Sequence, residues 1–328
     1  MKRLFALFVF SLLFSSCHKE DLDYIPKNNV VRILAIGNSF SQDALAYVPF
    51  ILNDLEVDAE AHIGILMMSS ATVSNHVENY EKNAAQYTFY YYDGGASWIS
   101  QSSKTIQWAI SNFKWDIIMT HQSSWTPDDW SVGYQAELNK FISLIRSSVD
   151  YPVRFAWMLS PSRPAQTNSG VNWSDETILS HFYYTASDAQ LILNESDFDL
   201  VIPVGTAIQN ARTIPAFKAL GDYANNEKNA SGLGYLCAFD GVHLQEGLPC
   251  QIAAYTFIVS MLRLLNLNVQ SIYEDDTKIT AKWTMGKSIP GPHGSVLLST
   301  KQDREYAKYC AVAANDYPFE ITSIVSMQ

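Results

Sequence analysis

From Val30 onward, uninterrupted apolar runs alternate with segments whose apolar residues recur every three or four positions. The run "VVRILAIG" is rich in branched residues and ends at Gly37. It predicts a strand buried on both faces. "ALAYVPFILNDL" then has helical spacing, with Asp43 just ahead of it, where a carboxylate favours the N-terminal end of a helix dipole. The same strand-then-helix alternation recurs in "AEAHIGILMM" with "TVSNHVENYEKNAAQY", and in "WDIIMTHQ" with "YQAELNKFISLIRSSV". It recurs again in "VRFAWMLS" with "DETILSHFYYTASDAQLILNES", and in "DLVIPVG" with "TAIQNAR". Five such units predict an α/β fold with a central five-stranded parallel sheet, covered on both faces by right-handed crossovers.

Two stretches depart from that rhythm. Residues 86–102, around "YTFYYYDGGASWISQSS", alternate aromatic and polar positions about Asp93-Gly94-Gly95 and read as an inserted hairpin, a lid or one wall of a cleft. After the helix "PCQIAAYTFIVSMLRLLNL", residues 268–328 form an extension punctuated by Pro and Gly, with a final helix over Lys301 to Asn315. No internal repeat appears, so residues 30–328 read as one domain.

The first residues follow a different logic. Lys2 and Arg3 precede an apolar stretch from Leu4 to Phe14, then small residues and Cys17. Residues 1–16 read as a secretory signal, too short for an ordinary membrane span. "FSSC" resembles a bacterial lipobox, which makes Cys17 the lipidated first residue of the mature chain and residues 17–29 a tether. The expected location is the cell envelope, as an outer-membrane lipoprotein; the acidic "CHKEDLD" hints at surface display.

Composition narrows the function classes. The chain has 328 residues, 48% hydrophobic and 17% charged, enough to bury a full core. Its formal net charge of -11 becomes -13 once Lys2 and Arg3 leave with the signal. Such a surface repels nucleic acid and anionic lipid, so attachment to a membrane falls to acyl chains alone. Cys237, Cys250 and Cys310 show no paired spacing, so neither a disulfide framework nor a zinc site is indicated; one bridge, Cys237 to Cys250, is the pairing to test.

The candidate chemistry lies at "GNSFS", where the first strand ends. Ligands in open parallel sheets bind at the carboxyl ends of the strands. A dinucleotide site needs GxGxxG and a P-loop GxxxxGK[ST]; this turn has one glycine and no lysine. Ser39 is then a nucleophile, or Ser39, Ser41 or Asp43 merely caps a helix. The choice depends on a base elsewhere. "FDGVHLQEGL" places Asp240 three residues before His243, a spacing at which a carboxylate can orient an imidazole toward a hydroxyl. Alone, DxxH also suits a metal pair or a capping histidine.

Together, the serine after the first strand and the late DxxH resemble the SGNH (GDSL-type) hydrolases, flavodoxin-like α/β/α esterases. "ILAIGNSFSQDA", "PVGTAIQNAR" and "DGVHLQEGL" are similar to an uncharacterised branch of that superfamily found in bacterial secreted proteins and lipoproteins. The resemblance implies that Ser39 is the nucleophile, His243 the base and Asp240 its orienting carboxylate. It also implies an oxyanion hole from the backbone of Ser39, Ser69 and Ser70 and the side chain of Gln122. Serines stand where the branch often has two glycines, and Gln122 where the superfamily usually has asparagine. Substrate contacts fall to Asn38, His121, Asn210 and Arg212, with His76 a further cleft candidate. Trp98, Trp125 and Trp130 offer platforms for sugar rings.

No metal or organic cofactor is expected, since no HExxH, EF-hand or paired-cysteine pattern appears and the chemistry needs none. The reading is a lipid-anchored serine esterase acting on small acyl groups of carbohydrate. Its rivals are a lipase or lysophospholipase of the same fold and a non-catalytic glycan-binding lipoprotein.

Overall fold

The computed structural model describes residues 27–55, 57–95, 98–122, 132–162, 175–215, 217, 236, 243–273, 293–297 and 299–324. The five expected parallel strands form β1 (Val30–Gly37), β2 (Glu60–Met67), β5 (Ile117–Thr120), β6 (Arg154–Met158) and β7 (Leu200–Ile202). The hairpin supplies β3 (Tyr87–Tyr92) and β4 (Ile99–Lys104), antiparallel to each other, with β3 also antiparallel to β2. One seven-stranded sheet results, in the order β4-β3-β2-β1-β5-β6-β7. The insertion therefore widens the sheet at its edge instead of forming a lid. Its Tyr87, Phe89, Tyr90 and Tyr92 are buried, and burying those rings requires a sheet face. Trp98 is also buried, 5.7 Å from the Tyr92 ring, so it is a packing residue and no sugar platform.

Residues alternate across β1 as the pleat demands: Val31, Ile33 and Ala35 enter one core, Leu34 and Ile36 the other. The first core is covered by α1 (Ser39–Leu45), α2 (Val48–Asp54), α7 (Val204–Ala211), α8 (Leu248–Leu264) and α9 (Lys301–Asp316). The second is covered by α3 (Val73–Glu81), α4 (Ile106–Asn112), α5 (Val132–Arg146) and α6 (Asp175–Glu195). This is the expected three-layer α/β/α arrangement. A short parallel pair, β8 (Gln245–Gly247) with β9 (His293–Leu297), stands apart from the main sheet.

The final helix belongs to the first layer: Ala307, Cys310, Ala311 and Ala314 are buried in that core. Cys250 and Cys310 are both free and buried, so the bridge from Cys250 is not formed; its thiol donates to Gln245 O at 3.2 Å instead. Cys17, Cys237 and the Trp125 and Trp130 positions lie outside the described residues. Among the described residues no helix is long and apolar enough to cross a membrane.

Candidate active site

Between β1 and β5 the strand order reverses, with β2 and the hairpin to one side and β6 and β7 to the other. Connections leaving the carboxyl ends of these two strands diverge to opposite faces, which opens a crevice there. Gly37 ends β1 and α1 begins at Ser39. A Cβ on Gly37 would collide with Ser41 Oγ and His121 Nε2, so this position has no room for a side chain.

Asn38 starts the helix. Its Oδ1 accepts the Phe40 N–H at 3.0 Å and its Nδ2 donates to Ala71 O at 3.1 Å. These two bonds make the buried Asn38, expected to contact substrate, a helix cap and a tie to the next loop. Ser39 follows as the first helical residue, partly exposed. Its Oγ lies 2.7 Å from His243 Nε2, across 204 positions of sequence. That distance suits transfer of the hydroxyl proton to the imidazole. Asp240, assigned to orient the histidine, lies outside the described residues.

The loops expected to hold an oxyanion converge on the same edge. After β2, Met68 N–H donates to Gly37 O at 3.1 Å, and Ala71 N–H closes a turn on Met68 O at 3.2 Å. Ser69 and Ser70 are exposed on that turn, and Ser70 has φ 55, in the left-handed region that favours glycine. Gln122 leaves β5 with its Oε1 accepting the Val73 N–H at 3.2 Å. Since a backbone N–H needs an acceptor, the amide orientation is set, and Nε2 is the end with a proton to donate.

A second serine–histidine pair lies beneath the first. Ser41 Oγ is 2.9 Å from His121 Nε2, while His121 Nδ1 is 3.4 Å from Gln122 O and 3.5 Å from Ser160 Oγ. The carbonyl can only accept, so Nδ1 carries the proton and Nε2 receives the Ser41 hydroxyl. His121 is wholly buried, and burial pushes its pKa down to about 4. The side chain expected to contact substrate is thus enclosed, with Ser41 as its nearest hydroxyl partner. His76 is also buried, its Nδ1 2.9 Å from Tyr87 Oη and its pKa lowered to about 3 by burial, so it does not line the cleft.

The motif after the fifth strand is likewise internal. Asn210 is fully buried; its Oδ1 accepts the Thr322 N–H at 2.7 Å and its Nδ2 donates to Cys310 O at 3.5 Å. It pins the C-terminal segment to α7. Arg212, also buried, donates to Gln209 Oε1 at 2.5 Å and Ser162 O at 2.8 Å, clamping the loop after β6. Both side chains expected to contact substrate are instead buried and hydrogen-bonded within the protein.

Asp43 also departs from expectation. It sits past the first turn of α1, where a helix dipole has little effect, and its Oδ2 accepts the Leu244 N–H at 3.0 Å. Beside the pair is a recess of about 10 Å³, room for a single water, lined by Asp43 together with Phe40, Ala44, Met158, Pro161 and Leu244. Among the described residues no cluster of His, Cys, Asp and Glu could hold a metal ion.

The chain belongs to the DUF4886 family, a domain of unknown function whose model matches residues 32–282. It is similar to a crystal structure of a DUF4886 family protein from Bacteroides uniformis ATCC 8492, with 23% identity, 90% of this chain and 99% of that chain covered, and a TM-score of 0.69. A more distant likeness is to a protein from Slackia heliotrinireducens provisionally assigned as an SGNH hydrolase, at 19% identity, 69% and 96% coverage and a TM-score of 0.40. Another is to a gut microbial diltiazem-metabolizing enzyme, at 13% identity, 73% and 48% coverage and a TM-score of 0.36. Among curated proteins none matches the chain.

Proposed function

We propose that this protein is a serine hydrolase that cleaves esters. The observation that carries the reading is the 2.7 Å contact between Ser39 Oγ and His243 Nε2 at the carboxyl end of β1, partly open to solvent. Ser39 Oγ attacks the ester carbonyl as His243 Nε2 takes its proton. The tetrahedral intermediate then collapses to an acyl-serine, and the proton passes to the departing alcohol. Water, activated by the same imidazole, releases the acid and restores Ser39. Asp240 is the candidate that holds the imidazole in the productive tautomer. The Gln122 Nε2 and the N–H groups of Ser39, Ser69 and Ser70 are the candidate oxyanion donors; each such donor contributes about 10²- to 10³-fold in turnover where one has been removed.

The substrate class in this proposal is a short acyl ester on carbohydrate. Lipidation at Cys17 would hold the enzyme at the outer membrane, facing extracellular glycans. A fluorophosphonate probe tests the chemistry: it should label the wild type, and Ser39→Ala should lose both labelling and hydrolysis of p-nitrophenyl acetate. Absence of both in the folded wild type, with glycan binding retained, would replace the enzyme with a binding protein. A preference for long acyl esters over acetyl would turn the assignment to a lipase.

A further inference from the structure

Ser39, Asp43 and Tyr47 follow one another at intervals of four, which keeps their side chains on one helical face. The face continues past the end of α1, because Ala46 and Tyr47 both keep right-handed helical backbone angles. Each of the three holds a different residue of one distant segment. Ser39 Oγ meets His243 Nε2 at 2.7 Å, Asp43 Oδ2 accepts the Leu244 N–H at 3.0 Å, and the Tyr47 hydroxyl donates to Glu246 Oε1 at 3.3 Å. A helix of fixed rise is thus matched, contact by contact, to residues 243–246. Asp43 makes the middle contact while only 3% exposed, and burying a carboxylate there is costly unless something is gained by it.

We infer that Asp43 is a positioning residue: its carboxylate fixes the backbone beside His243 and so sets the distance from the imidazole to Ser39 Oγ. The inference rests on the reading that Ser39 and His243 are the reacting pair. A carboxylate is an acceptor on both oxygens and cannot be displaced by rotating a donor into its place, so the Leu244 N–H has one resting position. Beside that tie, Tyr47 and Ser39 also hold the histidine segment on this face, and the Phe40 ring packs 5.8 Å from that of His243. Misplacement of a reacting group by about 1 Å can cost on the order of 10²-fold in rate.

The test compares Asp43→Ala, Asp43→Asn and Asp43→Glu with wild type on p-nitrophenyl acetate, with thermal unfolding followed in parallel. Alanine should lower kcat by about 10- to 100-fold with KM within about twofold, as expected for losing a hydrogen bond to a charged acceptor that only positions the base. Asparagine retains an acceptor oxygen and should restore kcat to within about fivefold of wild type. Glutamate keeps the charge but displaces the acceptor by one methylene, so it should lower kcat even where the alanine variant fails to fold. Unchanged kcat in the alanine and glutamate variants overturns the inference, as does a loss in asparagine as large as in alanine.

If folded wild type hydrolyses no activated ester, the catalytic reading falls by itself. The positioning claim is then decided by hydrogen exchange of the Leu244 amide in the Ser39→Ala background. Exchange should be accelerated by Asp43→Ala and slowed again by Asp43→Asn; equal exchange in all three overturns it.

Discussion

Two serine–histidine pairs start from the same helix, two residues apart, and only one of the two is open to solvent. Ser39 with His243 and Ser41 with His121 have similar separations, 2.7 and 2.9 Å. Residues i and i+2 of an α-helix point about 200° apart, so Ser39 faces the crevice and Ser41 faces the sheet. Phe40 stands between them, its ring 5.8 Å from that of His243 and 6.0 Å from that of His121. The outer pair is partly exposed, whereas His121 is fully enclosed and its pKa has fallen to about 4. A hydrogen bond alone does not make a nucleophile; the base must also accept a proton near neutral pH, and substrate must reach the hydroxyl.

The contrast breaks most decisively at the serines. Ser39→Ala should reduce turnover by about 10⁴-fold or more, since members of a catalytic unit fail together. Ser41→Ala should leave turnover within about threefold while costing about 1–3 kcal/mol of stability, because His121 Nε2 loses its buried partner. Urea titration beside active-site labelling checks both. Equal losses of labelling in two folded variants would end the distinction.

The buried pair should also show itself in the pH dependence of stability. His121 and His76 are lowered in the fold to about 4 and about 3, below the ordinary histidine value of about 6.5. Between those values the unfolded chain binds more protons than the native one, so stability rises with pH. The full contribution is present above about pH 6.5 and is withdrawn as pH falls toward 4, on the order of 3 kcal/mol from His121 alone. Urea unfolding measured from pH 7 to pH 4 should show this fall, and His121→Gln should flatten it. An unchanged acid limb in His121→Gln would mean that this imidazole titrates freely.

The smallest effect belongs to the turn beside the outer pair. Ser70→Gly should relieve the left-handed backbone at φ 55 and stabilise the protein by about 0.5–1 kcal/mol, visible as a raised Tm. No gain would show that Ser70 is held there without strain.

Much of the architecture was legible in the sequence because periodicity reports burial directly. Five branched apolar runs separated by helical patterns specified a parallel sheet with two covered faces. The hairpin was recognised from its aromatic alternation, but its docking at the β2 edge was not, since edge pairing depends on backbone groups that carry no side-chain signature. Ser39 and His243 were found through type and position, and the structure brings them together. Asn38, His121, Asn210 and Arg212 read as substrate contacts from their place at the strands' carboxyl edge and from the family resemblance. Each instead satisfies a buried neighbour supplied from elsewhere in the chain.

Local order therefore came from the sequence alone: strands, helices, the capped turn and the serine at its mouth follow from spacing and residue type within a few positions. Which hydroxyl meets solvent, which histidine stays neutral and which carboxylate holds residues 243–246 in place were decided by the tertiary structure. Solvent access, desolvation and hydrogen bonds spanning up to 204 positions arise only when the layers close.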